Sequence, residues 1–317
     1  MPDISHDLTI YVDRVDDFTG SELNELFLLS AISSGLPSVV LDGAGGLDTL
    51  DARNVFVGYS RMSFRDTIVN GVDGFSFGDY EAVNFEQIYG HSTHRNSFLL
   101  QNLDHEVVLH GGEADDWFAA SFGPREAWTS DTFYGYGGDD YFFLKPLDQA
   151  FGGDGDDIFS LHSLGGDLTG SFVDGGAGND TLEVATGWII DLSNNFADSP
   201  YTGSLDRYVF ESIENVEASA FRGRASYVTG DSAANILSVN NVLNDGSIGV
   251  HFDGLGGDDT LSGSKGSDTL NGGVGDDTIY AGDGADTIFG GAGFDSIYGG
   301  AGDDDITAGD GGGVFDG

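Results

Sequence analysis

The chain has 317 residues, 39% of them hydrophobic and 12% aromatic, enough to build a core and to argue against wholesale disorder. Its 11 basic residues against 54 acidic ones leave a net charge of −43, which disfavours nucleic acid and anionic membranes as partners. With no cysteine, no apolar run long enough for a membrane span and no basic-then-apolar leader, we expect no disulfide, thiolate metal site, span or cleaved signal. Such a charge opposes compaction, and bound cations would relieve it.

Residues 1–38 read as an N-terminal strand and a capping helix. Leu8, Ile10 and Val12 alternate as a strand does. Ser21 or Thr19 is placed to cap a helix, with Leu23, Leu26, Phe27 and Leu29 at helical spacing and Gly35 and Pro37 to stop it. That helix is expected to cover the open first coil of a solenoid.

Residues 39–253 carry isolated glycine- and aspartate-rich nonapeptides. GAGGLDTLD starts at Gly43, GGEADDWFA at Gly111, GYGGDDYFF at Gly135, GGDGDDIFS at Gly152 and GGAGNDTLE at Gly175. Their sixth positions are Asp48, Asp116, Asp140, Asp157 and Asp180, and Gly153, Gly155, Gly176 and Gly178 stand at second and fourth positions. The last four aspartates are 24, 17 and 23 residues apart, close to one coil of 18 with insertions. This predicts an irregular β-solenoid. The intervals 52–110 and 184–253 resemble each other loosely, and TGDSAANILSV from Thr229 reads as a degenerate turn with Asn235 in the aspartate slot.

Residues 254–317 are seven consecutive nonapeptides, ending in a decayed copy from Ala308. The fourth position is always glycine, the sixth is aspartate in six copies (Asp259, Asp268, Asp277, Asp286, Asp295, Asp304), and the eighth is always apolar. Fixed roles at a fixed period predict a stacked fold. Each copy supplies a tight turn plus a short strand, and two copies close one coil of 18 residues. Asp259 then stacks on Asp277, Asp268 on Asp286, Asp277 on Asp295 and Asp286 on Asp304, about 4.8 Å apart. Only Lys265 is basic in this stretch, so a hard divalent cation is needed; Ca²⁺, which accepts six to eight carboxylate and carbonyl oxygens, suits it better than Mg²⁺.

These nonapeptides resemble the GGxGxDxUx repeat of the RTX, or haemolysin-type calcium-binding, family. The resemblance implies an all-β parallel β-roll holding several Ca²⁺ ions between turns. The metal-facing positions carried over are the aspartates named above with Gly153, Gly155, Gly176, Gly178, Gly257, Gly266, Gly273, Gly275, Gly282, Gly284, Gly291, Gly293, Gly300 and Gly302. It also implies a type I secretion apparatus as partner, release outside a Gram-negative cell, and folding on meeting calcium there. The family usually adds an export segment after the repeats, so a fragment, a truncated reading frame, or an assembly in which another chain caps the last coil, is the expectation at Gly317.

Signals of other chemistry are weaker. H-E-x-x-H does not occur, and Gly74–Gly78 fits G-x-S-x-G around Ser76 without a following helical pattern. His91, His94, His105 and His110 crowd together and read as solenoid imidazoles rather than a transition-metal site. Trp117, Trp128, Tyr134, Tyr136 and Tyr141 form either core or a sugar-stacking face. Three classes stay open: a structural or adhesive surface protein, part of a secreted enzyme, and a calcium-dependent glycan-binding module, with self-assembly or surface glycans as partners.

Overall fold

The structure, a computed structural model, describes residues 8–12, 18–19, 25–29, 39–42, 49–51, 74–77, 80–83, 87–90, 92–93, 95–99, 106–120, 129–161, 168, 170–185, 187–198, 207–219, 224–240 and 248–317. These residues are all-β, with no α-helix and one short 3-10 turn, Leu192–Asn194. The chain divides into two compact units, Met1–Asp157 with Gly170–Gly178, and Ile158–Thr169 with Asn179–Gly317.

In the first unit, strands Leu8–Val12, Glu25–Leu29, Thr49–Asp51, Gln87–Tyr89, Val108–Gly112, Thr132–Gly137, Gln149–Asp154 and Phe172–Ala177 succeed one another in one parallel sheet. Ser97–Leu99, Trp117–Ala119 and Tyr141–Leu144 form a second parallel row. The register Val108↔Thr132↔Gln149↔Phe172 gives coils of 24, 17 and 23 residues. Alternation points every second side chain inward, burying Phe98, Phe118, Phe133 and Phe142. Phe118 stacks between Phe98 at 4.9 Å and Phe142 at 4.7 Å between ring centroids.

The N-terminal capping helix is corrected. Glu25–Leu29 is a strand, parallel to Leu8–Val12 on one side and Thr49–Asp51 on the other. A short apolar run such as Leu26–Leu29 fits either period, and pairing with neighbouring coils decides it in favour of the strand.

In the second unit, Tyr227–Thr229, His251–Asp253, Thr269–Val274, Thr287–Ala292 and Asp305–Asp310 form one parallel ladder. Asn215–Ser219, Ile236–Asn240, Thr260–Ser262, Thr278–Asp283, Asp295–Ala301 and Gly313–Asp316 form the other. From His251 on, the register advances by 18 residues per coil, as the pairs His251↔Thr269, Thr269↔Thr287 and Thr278↔Ser296 show. Leu261, Ile279 and Ile297 from one ladder and Leu270 and Ile288 from the other are fully buried. Each such side chain contributes roughly 1.5–3 kcal/mol when taken out of water. One irregularity interrupts the roll: Phe196–Asp198 pairs antiparallel with both Ile189–Asp191 and Arg207–Glu211. Asn195 makes the turn in the left-handed region at φ 58°.

Candidate metal centre

The sixth-position aspartate faces inward at the start of each strand, directly before it at Asp268, Asp277, Asp286 and Asp304 and as its first residue at Asp295. In Asp277–Ala281 the side chains alternate, with Asp277, Ile279 and Ala281 buried and Thr278 and Tyr280 turned outward. The carboxylate therefore sits inside the turn rather than on its surface. Its Oδ1 accepts a backbone N–H from the preceding coil: Asp259 donates to Asp277 at 2.8 Å, Asp268 to Asp286 at 2.8 Å, Asp277 to Asp295 at 3.1 Å and Asp286 to Asp304 at 3.0 Å.

The second carboxylate oxygen has a different fate. Oδ2 of Asp140, Asp259, Asp277, Asp286, Asp295 and Asp304 is buried and has no hydrogen-bond partner. A buried acceptor left so is costly, and a charged one more so. Around it lie further oxygens. A Cβ added to Gly272 would meet Asp277 Oδ2 and come within 2.6 Å of the Gly290 carbonyl oxygen; one added to Gly254 would meet Asp259 Oδ2 and come within 2.5 Å of the Gly272 carbonyl. Ala281 fills the same slot in the fourth copy, so the fit to a cation rests on these converging oxygens and not on empty space.

The turn glycines keep the coils close. Gly257, Gly273, Gly275, Gly282, Gly284, Gly291, Gly293, Gly300 and Gly302 all have φ between 96° and 150°, where other residues are strained. A Cβ on Gly275, Gly293 or Gly302 would collide with the carbonyl oxygen of Gly257, Gly275 or Gly284, one coil earlier. Gly266 differs: its N–H donates to Ser264 Oγ at 2.9 Å, and Ser264 Oγ in turn reaches Asp268 Oδ1 at 2.9 Å.

The isolated copies obey the same rule. In the first unit Asp116 N–H donates to Asp140 Oδ1 at 2.6 Å and Asp140 N–H to Asp157 Oδ1 at 2.8 Å; Gly153, Gly155, Gly176 and Gly178 have positive φ. Asp116 and Asp268 differ from the aspartates with a partnerless Oδ2: the Asn96 amide donates to Asp116 Oδ1 at 3.0 Å and Oδ2 at 3.1 Å, and the Ser264 N–H donates to Asp268 Oδ2 at 2.6 Å. In the second unit Asp180 is buried and its N–H donates to Glu214 Oε2 at 2.8 Å. Asn235 N–H donates to Asp259 Oδ1 at 2.8 Å, while its own amide is used by Asp231 N–H at 2.9 Å and the Glu214 carbonyl at 2.9 Å. The Asn235 side-chain oxygen is thus taken by a backbone N–H, and its amide brings no charge to the turn. Asp48 lies outside the described residues.

Burial raises the pKa of these aspartates from 3.8: to about 9 for Asp140, about 7 for Asp116 and Asp259, and about 6 for Asp277 and Asp286, with Asp268 also raised. Desolvation is the largest cause in each, and neighbouring aspartates of the column add to it at Asp140, Asp259, Asp277 and Asp286. The column holds negative charge poorly by itself.

A second row of aspartates, at the fifth position, was not singled out from the sequence. Asp258 Oδ1 accepts the Asp276 N–H at 2.8 Å, Asp276 Oδ1 the Phe294 N–H at 2.7 Å, and in the first unit Asp115 and Asp139 accept from Asp139 and Asp156 at 3.1 and 3.0 Å. These exposed carboxylates tie each coil to the next, while the sixth-position ones tie it to the coil before. The doubled D-D in GGDD and GDGDD was the available signal.

The remaining candidates fall elsewhere. His110 is buried, stacked between Tyr89 at 4.1 Å and Tyr134 at 5.1 Å, with Nδ1 2.8 Å from the Tyr136 hydroxyl. His91, His94, His105 and Trp128 lie outside the described residues. Ser76 is in strand Gly74–Phe77, antiparallel to Tyr80–Val83, and not at a strand-to-helix elbow. Trp117 pairs with Tyr141 on one sheet and Tyr134 stacks on Phe151 on the other, so the aromatic run is divided between two faces. Among the described residues no three His, Cys, Asp or Glu side chains converge on one point, so a cation in these turns would depend on backbone carbonyls beside the carboxylates.

Stacked coils with inward carboxylates and backbone carbonyls at glycine turns define a repeat-built β-roll with an oxygen-only donor set, suited to a hard cation. The sequence model of the RTX calcium-binding nonapeptide repeat matches in four copies, at residues 130–144, 171–187, 253–288 and 280–315. The chain carries RTX calcium-binding repeats. A search of curated proteins gave no match.

Proposed function

We propose that this is a secreted protein that folds into its β-roll on binding calcium outside the cell and has a structural or adhesive role at a cell surface. The observation that carries the calcium reading is the set of buried, partnerless Oδ2 atoms at Asp140, Asp259, Asp277, Asp286, Asp295 and Asp304. These oxygens, with the first-position carbonyls of the following coil such as Gly272 and Gly290, would hold the ions, and Asp48, Asp116, Asp157, Asp180 and Asp268 extend the candidate set. Calcium supplies countercharge to a chain of net charge −43 and stabilises only the stacked state that presents these oxygens together. Without it, self-repulsion and the entropy of 52 glycines favour an unfolded chain, the form a type I export channel passes.

The test is circular dichroism in chelator and in calcium. Disorder giving way to β-structure on adding Ca²⁺ is expected; the same folded spectrum in both would remove the basis for calcium-driven folding. For the surface role, electron microscopy in calcium should show end-to-end assemblies, and strictly single particles would count against it.

A glycan-binding role is favoured by a different feature of the second unit. A groove of about 590 Å³ runs over the outer sheet face, lined by Tyr227, His251, Asn271, Phe289 and Thr307 among others. It offers rings together with hydrogen-bonding groups, among them the Asp253 carboxylate, and glycan arrays probed in calcium separate this reading from the first.

A further inference from the structure

The first unit contains an aspartate pair that obeys the rule of the calcium columns but sits in turns without the glycine motif. Asp131 and Asp148 immediately precede strands Thr132–Gly137 and Gln149–Asp154, as Asp268 and Asp286 precede Thr269–Val274 and Thr287–Ala292. The hydrogen bonds are the same: Val107 N–H donates to Asp131 Oδ1 at 3.1 Å and Asp131 N–H to Asp148 Oδ1 at 3.2 Å, just as Val250 donates to Asp268 at 2.7 Å and Asp268 to Asp286 at 2.8 Å. Both carboxylates are buried.

Here the countercharge comes from the chain. Lys145, 2% exposed, places Nζ 2.6 Å from Asp131 Oδ2 and 2.5 Å from Asp148 Oδ1, and its backbone N–H donates to Asp148 Oδ2 at 3.0 Å. Every carboxylate oxygen of the pair therefore has a donor, in contrast to the partnerless Oδ2 atoms of Asp140, Asp259, Asp277, Asp286, Asp295 and Asp304. A buried lysine is rare unless paired, and an ammonium with three donors is a compact point charge able to bridge two carboxylates. Burial acts to lower the Lys145 pKa, but Asp148 and Asp131 outweigh it, so the ammonium stays charged.

We propose that Lys145 is a built-in substitute for calcium, and that the edge of the roll formed by Asp131, Lys145 and Asp148 is a metal-independent site from which the calcium-dependent coils are stacked. The substitution rests on the calcium reading of the glycine turns. It gives the chain a point of fixed register before any ion is bound.

Hydrogen exchange of the full chain by mass spectrometry tests it, comparing peptides covering 129–154 with peptides covering 268–289 in chelator and in calcium. The wild type should keep protection at 129–154 in chelator, at least about tenfold slower exchange than at 268–289, which corresponds to about 1.4 kcal/mol. Lys145→Arg should retain that protection, and Lys145→Met should lose it in chelator. Loss of protection at 129–154 in the chelated wild type, or equal behaviour of the Arg and Met variants, overturns the proposal. Failure of the calcium reading looks different: 268–289 would then be as protected in chelator as in calcium. Should Lys145→Met unfold under all conditions, the wild-type comparison and the Arg variant still decide the matter.

Discussion

Neighbouring aspartates in one turn give a controlled test of which oxygen matters. Asp277→Asn and Asp276→Asn remove the same charge one residue apart. Each leaves an Oδ1 to accept its inter-coil hydrogen bond, from Asp259 N–H at 2.8 Å and from Phe294 N–H at 2.7 Å. The difference is the other atom. Asp277 Oδ2 is buried without a partner, whereas Asp276 is exposed. Replacing Oδ2 of Asp277 by an amide nitrogen removes an anionic donor. Outer-sphere changes around metals cost about 10–100-fold in affinity, and loss of a facing carboxylate should reach at least that. The Asp276 change acts through solvent and should cost under about 1 kcal/mol, or less than about fivefold. The assay is a calcium titration of the β-sheet signal. The Asp277→Asn midpoint should move to at least about tenfold higher calcium, and Asp276→Asn several-fold less. Equal shifts, or a larger one for Asp276→Asn, would refute the assignment of the buried oxygen.

The same geometry sets the response to pH, to turn substitutions and to core truncation. In the calcium-free state Asp140, Asp259 and Asp277 have pKa values of about 9, 7 and 6 against 3.8 when unfolded, so the folded form binds more protons over that window and loses stability as pH rises through it. Acidifying the chelated chain from about pH 9 to about pH 5 should therefore increase β-structure, and calcium binding near neutral pH should release protons measurable in weak buffer; a gain of structure on raising the pH would contradict this. Gly293→Ala, at φ 145° and facing the Gly275 carbonyl, should cost about 1–3 kcal/mol in calcium by urea denaturation, whereas Ala292→Ser at the exposed third position should stay within about 0.5 kcal/mol. Ile288→Ala empties a fully buried position and should cost about 2–5 kcal/mol in calcium, while Phe289→Ala, 41% exposed next to it, should cost clearly less by thermal melting.

The regular part of the roll was legible because one role recurs at one interval: the apolar eighth residues from Leu261 to Ile297 are buried, and coils advance by 18. The spacing of Asp116, Asp140 and Asp157 gave coil lengths of 24 and 17, equal to the pairing Val108↔Thr132↔Gln149. What escaped was set by partners distant in sequence. Leu26–Leu29 suits a helix on its own and becomes a strand because coils on both sides offer edges. Asp131 and Asp148 escaped because no glycine turn announces them; the residual sign was an aspartate followed by an alternating strand, D-T-F-Y and D-Q-A-F. The inward direction of the sixth-position aspartate follows from alternation counted back from the eighth residue, a pattern that its place beside the glycine turn conceals.

A calcium-loaded crystal measured at wavelengths chosen for calcium anomalous scattering tests the central claim most directly. Peaks about 2.3–2.6 Å from Oδ2 of Asp277 and Asp286, each shared with backbone carbonyls of a neighbouring coil, are the expected result. Ordered coils with no anomalous peak at these oxygens, or peaks only at exposed fifth-position carboxylates such as Asp276, would contradict it.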